Sequence, residues 1–153
     1  MTRIDHFVPA VGEARLQVAI AILYREGKFL MQLRDEVPNI VYPGHWGMFG
    51  GHLDPGETPE IAVQRELIEE IGYHLPIVQK FGCYVNDRVI RHVFYGPLKV
   101  ELDELTLMEG WDMDLLTPEE IRHGVHYSDR AQQIKPLTEG SQEILLDFIE
   151  QTY

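Results

Sequence analysis

The chain has a single cysteine, no long hydrophobic run and few basic residues, and each scarcity removes a class of protein. Cys83 alone cannot close an internal disulfide or supply a thiolate metal cluster, which suits a reducing, cytoplasmic compartment. The longest apolar stretch, Val18 to Leu23, falls far short of the roughly 20 residues of a membrane span, and the polar start from Met1 to His6 has no signal-peptide pattern. Lys and Arg number 13 against 25 Asp and Glu, a formal net charge of -12. That balance argues against nucleic acid or an anionic membrane as the main partner, because both demand a basic surface. A small polyanionic ligand stays open, provided that cations mediate.

What is present reads as one folded domain over residues 1–153. A composition of 44% hydrophobic and 25% charged residues is that of an ordinary globular chain. The aliphatic run Arg15 to Tyr24, the turn at Glu26-Gly27 and the run Lys28 to Leu33 predict a hairpin. Asp35 to Gly44, with two prolines, predicts a loop, and Trp46 to Phe49 a short apolar piece before Gly50-Gly51. Thr58 as cap, Pro59 at the first helical position and Gly72 past the last turn predict a helix over Pro59 to Ile71. Val78 to Val85 and Arg88 to Tyr95 read as strands joined at Asn86-Asp87, with Leu98 to Leu102 as a continuation and Trp111 to Leu116 as a shorter piece. Thr117-Pro118-Glu119-Glu120 is a capping box for a short helix. A final helix over Ser141 to Gln151 carries an apolar stripe, Ile144, Leu145, Phe148 and Ile149, that should dock on a sheet. Strands interleaved with helices imply a mixed α/β fold.

The chemistry concentrates in Gly51 to Tyr73. At 100° per residue, Glu66, Glu69 and Glu70 fall within an arc of about 100° on the first helix, and Leu67, Ile71, Ile68 and Ile61 lie opposite. Like charges at these spacings cost about 0.2–0.5 kcal/mol per pair. A hard divalent cation would offset them and would bridge to phosphate oxygens. A solvated acidic face satisfies the same periodicity.

The neighbouring residues separate these two readings. Gly51, Glu57, Arg65, Glu66, Leu67, Glu69, Glu70 and Gly72 fit G-x5-E-x7-R-E-U-x-E-E-x-G-U, where U is aliphatic, and only Tyr73 departs at the final position. With residue frequencies of roughly 5–7%, a chance match has a probability on the order of 10⁻⁷ or smaller. The chain therefore resembles the Nudix hydrolases. The resemblance implies an α/β/α sandwich with a mixed sheet and a loop-helix-loop metal motif. It further implies Mg²⁺, with Mn²⁺ as substitute, on Glu66, Glu69, Glu70 and the Gly50 carbonyl. Arg65, Glu57 and Gly51 would support that site.

The same resemblance implies a pyrophosphohydrolase, in which water attacks phosphorus in a nucleoside di- or triphosphate derivative. Glu66 and Glu109 are its candidate bases, and Glu70 and Arg65 belong to the catalytic set. Homodimers are common in the family and are one option here. Phe49 stands where the family often has proline. It and Tyr42 are candidates for stacking on a base, with core packing as the competing reading, and Trp111 and Tyr95 carry the same ambiguity. Arg34, Arg88 and Arg91 are candidate phosphate contacts, and His52 lies in the loop close to the expected ions. Subfamily markers are absent: Arg88 and Val89 replace the proline of ADP-ribose hydrolases, and Val89, Ile90 and Arg91 the tyrosine of diadenosine-polyphosphate hydrolases. A non-catalytic nucleotide-sensing module is the rival from another class. Such modules often lose the glutamates retained here. An isoprenoid-diphosphate isomerase would need a cysteine before the motif, and Cys83 follows it.

Overall fold

The aliphatic run expected at Arg15 to Tyr24 becomes the central strand of a mixed sheet in the computed structural model, which describes residues 1–152. In chain order the strands are β1 (Thr2–Ile4), β2 (Leu16–Arg25), β3 (Lys28–Leu33), β4 (Trp46–Gly47), β5 (Phe49–His52), β6 (Gln79–Val85), β7 (Val89–Pro97), β8 (Asp112–Leu116), β9 (Val125–Ser128) and β10 (Gln133–Pro136). The helices are α1 (Pro59–Ile71), α2 (Pro118–His123) and α3 (Glu139–Thr152). The main path is β1-β6-β7-β2-β3-β4, with β5 added on β2 and β8 on β3. Among the described strands β2 and β7 pair in parallel, from Leu16 beside Val89 to Tyr24 beside Pro97, and the other strand pairs are antiparallel. Among the described residues no helix is long and apolar enough to cross a membrane.

Strand alternation divides the core in two. Ala19, Ala21 and Leu23 of β2 meet Val63, Leu67 and Ile71 of α1 on one face, while Ile22 meets Phe29, Leu145 and Phe148 on the other. All four residues of the α3 stripe are buried. The helix starts two residues earlier than expected, because the Thr138 hydroxyl accepts the Ser141 N–H as cap at 3.2 Å.

Three expectations need correction. Ile61 and Ile68 do not face the sheet: α1 is rolled so that Glu70 is buried and these two isoleucines are 58% and 49% exposed. Leu98 to Leu102 forms no strand. The Tyr73 hydroxyl donates to the Pro97 carbonyl at 2.9 Å and accepts from the Lys99 N–H at 3.1 Å, which turns the chain out of the sheet, and Leu102–Glu104 closes as a 3₁₀ turn. Phe49 is fully buried in the layer beneath α1, so it belongs to the core and cannot stack on a ligand.

The β9–β10 hairpin is fastened by His126. Its Nδ1 meets Glu120 of α2, its Nε2 lies 2.7 Å from Asp114 of β8, and its carbonyl accepts the Trp46 indole N–H at 3.0 Å. Burial disfavours the imidazolium, but the hydrogen bonds to Asp114 and Glu120 outweigh it and raise its pKa above the ordinary 6.5. Burial likewise disfavours both carboxylates, yet hydrogen bonding brings Asp114 and Glu120 below their ordinary 3.8 and 4.5. The histidine therefore contributes stability that is full below pH 6.5 and is lost as pH rises through its folded value. The carboxylates contribute stability that is present above pH 4.5 and is lost on acidification. Urea denaturation should show His126→Gln less stable than wild type by about 1–2 kcal/mol near pH 6, with the carboxylates a third exposed, and by clearly less at pH 9.

Candidate active site

The turn before α1 is built by its own side chains. Glu57 Oε1 accepts the Asp54 N–H at 2.8 Å, and the Thr58 hydroxyl oxygen caps α1 by accepting the Ile61 N–H. Arg65, two turns into the helix, folds back over this loop. Its Nε donates to Glu57 Oε2 at 2.7 Å, and its Nη2 to Glu57 Oε1 and the His52 carbonyl, both at 3.0 Å. The remaining nitrogen, Nη1, donates to Glu66 Oε1 at 3.0 Å and Glu69 Oε2 at 3.2 Å. One planar guanidinium thus ties the loop to two glutamates of the helix, a task for which lysine's single ammonium has the wrong shape. The hydrogen bonds from Arg65 and from the Asp54 backbone hold the Glu57 carboxyl below the usual range.

Glu70 is held from the sheet side. Its Oε1 accepts the Gly50 N–H at 3.0 Å and its Oε2 the Gln32 amide at 3.1 Å. Burial and the nearby Glu66 push its carboxyl up to about 8; the bonds from Gly50 and Gln32 oppose this, and Glu109 adds to it. Gly50 lies against β2 so closely that a Cβ there would sit 2.2 Å from the Ala19 carbonyl oxygen. At Gly51 a Cβ would come within 2.5 Å of the Glu66 carboxyl. These two glycines let β5 pass between β2 and the acidic face of α1.

Glu66, Glu70, Glu109 and Asp35 line one cavity of about 390 Å³, together with Arg34, Gln32 and Gly50. Glu109 is thus brought beside Glu66 and Glu70, the latter 39 residues away in the chain (109 minus 70). Glu69 is not in the cavity wall: its side chain is 58% exposed, since the roll of α1 that buries Glu70 carries it outward. Among the described residues no three acidic, histidine or cysteine side chains converge on a single ion position. The donor set nonetheless fits a hard divalent cation. It is all oxygen, and Glu70 needs a positive neighbour to ionise near neutral pH. Mg²⁺ also uses one or two carboxylates and takes its other ligands from water and phosphate. Arg34 and His52 line a second cavity that adjoins the first and includes Tyr42 and Arg91. Arg88 is not in the wall of either cavity.

Gln32 and Asp35 are the site residues that sequence reasoning missed. Gln32 had a signal, a polar residue in the otherwise apolar run Phe29 to Leu33, and it is buried because its amide serves Glu70.

Residues 14–139 match the family described as NUDIX domain. A Bacillus subtilis (strain 168) protein provisionally named 8-oxo-dGTP diphosphatase is 32% identical over 81 residues, covering 52% of this chain and 50% of that protein. The nucleoside triphosphatase NudI of Escherichia coli O1:K1 / APEC is 32% identical over 86 residues, covering 56% and 60%. The chain thus spans about half the length of these curated relatives. Among solved structures, the MutT studied in Aliivibrio salmonicida and Vibrio cholerae aligns with TM-score 0.70 and 18% identity over 90% of this chain and 98% of that one. The NUDIX domain of Shewanella oneidensis NrtR, solved with ADP ribose, aligns with TM-score 0.70 and 18% identity over 96% and 94%. These two likenesses concern the fold. The family match covers most of the chain and coincides with the loop-helix-loop built around Arg65, and on that ground the chain belongs to the Nudix hydrolase family.

Proposed function

We propose that the protein is a Mg²⁺-dependent pyrophosphohydrolase that cleaves a diphosphate bond in a nucleoside di- or triphosphate derivative. The observation that carries this reading is the convergence of Glu66, Glu70 and Glu109 on a cavity that also holds the Arg34 guanidinium. Glu66 and Glu70, with the Gly50 carbonyl, would hold Mg²⁺, or Mn²⁺ in its place, and Glu69, turned outward in this structure, would join them only by swinging in. When bound, such an ion neutralises the diphosphate and lowers the pKa of an attacking water. Arg34, whose Nε donates to the Val41 carbonyl at 2.6 Å, would bind phosphate oxygens through its Nη groups. Glu66 or Glu109 would accept the proton of the attacking water, since both line the space where that water must stand. The Arg65 network keeps Glu66 in place while this happens.

Names among the relatives favour a nucleotide substrate, and the acid-lined cavity agrees, because four carboxylates beside one guanidinium suit a phosphate ligand only with cations present. A hydrolysis screen over nucleotide sugars, dinucleotides and nucleoside triphosphates with Mg²⁺ should find turnover in wild type and at least about a 100-fold loss in Glu66→Gln and Glu70→Gln at retained fold. Retained turnover in Glu70→Gln overturns the metal assignment, and tight nucleotide binding without any hydrolysis turns the reading to a sensing module.

Gly51→Ala separates position from stability. The three atoms nearest the added methyl all belong to the Glu66 carboxyl, a side-chain end and not backbone, so the melting temperature should stay within about 2 °C of wild type, while kcat falls at least about ten-fold because the carboxylate is displaced. An unchanged kcat would show that the position of Glu66 does not matter.

A further inference from the structure

The second cavity, about 360 Å³, adjoins the first and shares Arg34 and Gly50 with it. It lies on the α3 face of the sheet. Val18 and Ile20 of β2, with Met48 and Ile144, make its floor apolar. Strand register sets His52 of β5 and Arg91 of β7 on either side of Val18, so a cationic side chain and an imidazole flank that floor.

The two cavities differ in charge. Four carboxylates line the first, and no Asp or Glu lines the second, in a chain whose net charge is -12. The second instead has two guanidiniums, Arg34 and Arg91. Among the described residues the hydrogen bond of the Arg91 guanidinium goes to the Met1 thioether at 3.1 Å, a weak acceptor that leaves its donor capacity for a ligand. The nearby hydroxyls are already engaged as acceptors, Ser141 from the Met48 N–H and Thr138 from the Ser141 N–H. Each hydroxyl keeps its own O–H to donate, and the two guanidiniums add the cavity's charged donors. A nucleobase edge with its own N–H groups would need acceptors, whereas an oxyanion needs none.

We propose that this cavity binds an oxyanion, a phosphate or a carboxylate, carried on the part of the substrate beyond the scissile diphosphate, with Arg91 as the specificity-determining residue. The proposal rests on the reading of the first cavity as the diphosphate site. It narrows the substrate class to nucleoside diphosphate derivatives whose second moiety, or ribose, is itself anionic.

Calorimetric Kd values for two matched pairs in the presence of Mg²⁺ test it, on ligands with no diphosphate bond to cleave. AMP against adenosine 3′,5′-bisphosphate tests phosphate, and glucose 1-phosphate against glucuronate 1-phosphate tests carboxylate. In wild type the more anionic member of at least one pair should bind about ten-fold tighter or more. That ratio should fall to about one in Arg91→Met and recover in part in Arg91→Lys, which keeps the charge without the fork. A ratio near one in both pairs, no binding by either of the more anionic ligands, or a ratio that survives in Arg91→Met overturns the proposal. Hydrolysis in the screen beside a ratio of one would refute this inference alone, and a ratio that behaves as expected without hydrolysis would refute the catalytic reading alone.

Discussion

The loop before α1 and the glutamates Glu66 and Glu69 depend on the Arg65 guanidinium. Glu57, Glu66 and Glu69 repel one another, and each meets this one cation within 3.2 Å. Without it the loop would lose its anchor at the His52 carbonyl, and the helix face would carry uncompensated charge. The guanidinium takes up one oxygen each of Glu66 and Glu69 rather than all of their acceptor capacity. The carboxylates are held in place and can still serve another cation. Glu70 is fixed independently by the sheet through Gly50 and Gln32. The site is thus a joint between helix and sheet, with Arg65 on one side and the edge of β5 on the other.

The central strand explains why two unlike cavities lie side by side. β2 gives Ala19, Ala21 and Leu23 to the α1 layer, and Val18 and Ile20 to the opposite face. Glycines at 50 and 51 let β5 come close to both β2 and α1, and Gly50 lies in the walls of both cavities. Acidic residues gather where α1 meets β3 and the segment ending at Gly110, while the cavity on the α3 face is lined by two guanidiniums and apolar groups with no Asp or Glu. A ligand that carries a diphosphate next to another moiety could occupy both cavities without leaving Arg34.

Most of this was legible in the sequence, and the parts that were not share a physical cause. Helix α1 was readable from Thr58, Pro59 and Gly72 because capping is local chemistry. Its roll was not, because periodicity finds an apolar arc but does not say that Glu70 will be buried against Gly50 and Gln32 while Ile61 and Ile68 go to solvent. Strands β1, β9 and β10 are three or four residues long; β1 is held by its distant partner β6, and the β9–β10 hairpin by the His126 contacts, which leave no periodic trace. Phe49 illustrates the converse. An aromatic beside a glycine pair reads equally as ligand contact or core, and only the position of β5 beneath α1 decides for core. Tyr73, the one departure from the family signature, gains a reason from its hydroxyl contacts at the end of β7.

The central claim is that a residue outside the cavity, Glu57, sets the cation affinity inside it by holding Arg65. Electron paramagnetic resonance titration of Mn²⁺ into wild-type protein and Glu57→Gln tests this directly, with far-ultraviolet circular dichroism to show that the fold is kept. The account predicts one class of bound Mn²⁺ in wild type and an affinity about 10–100-fold weaker in the variant. Equal affinity in the two proteins would contradict it.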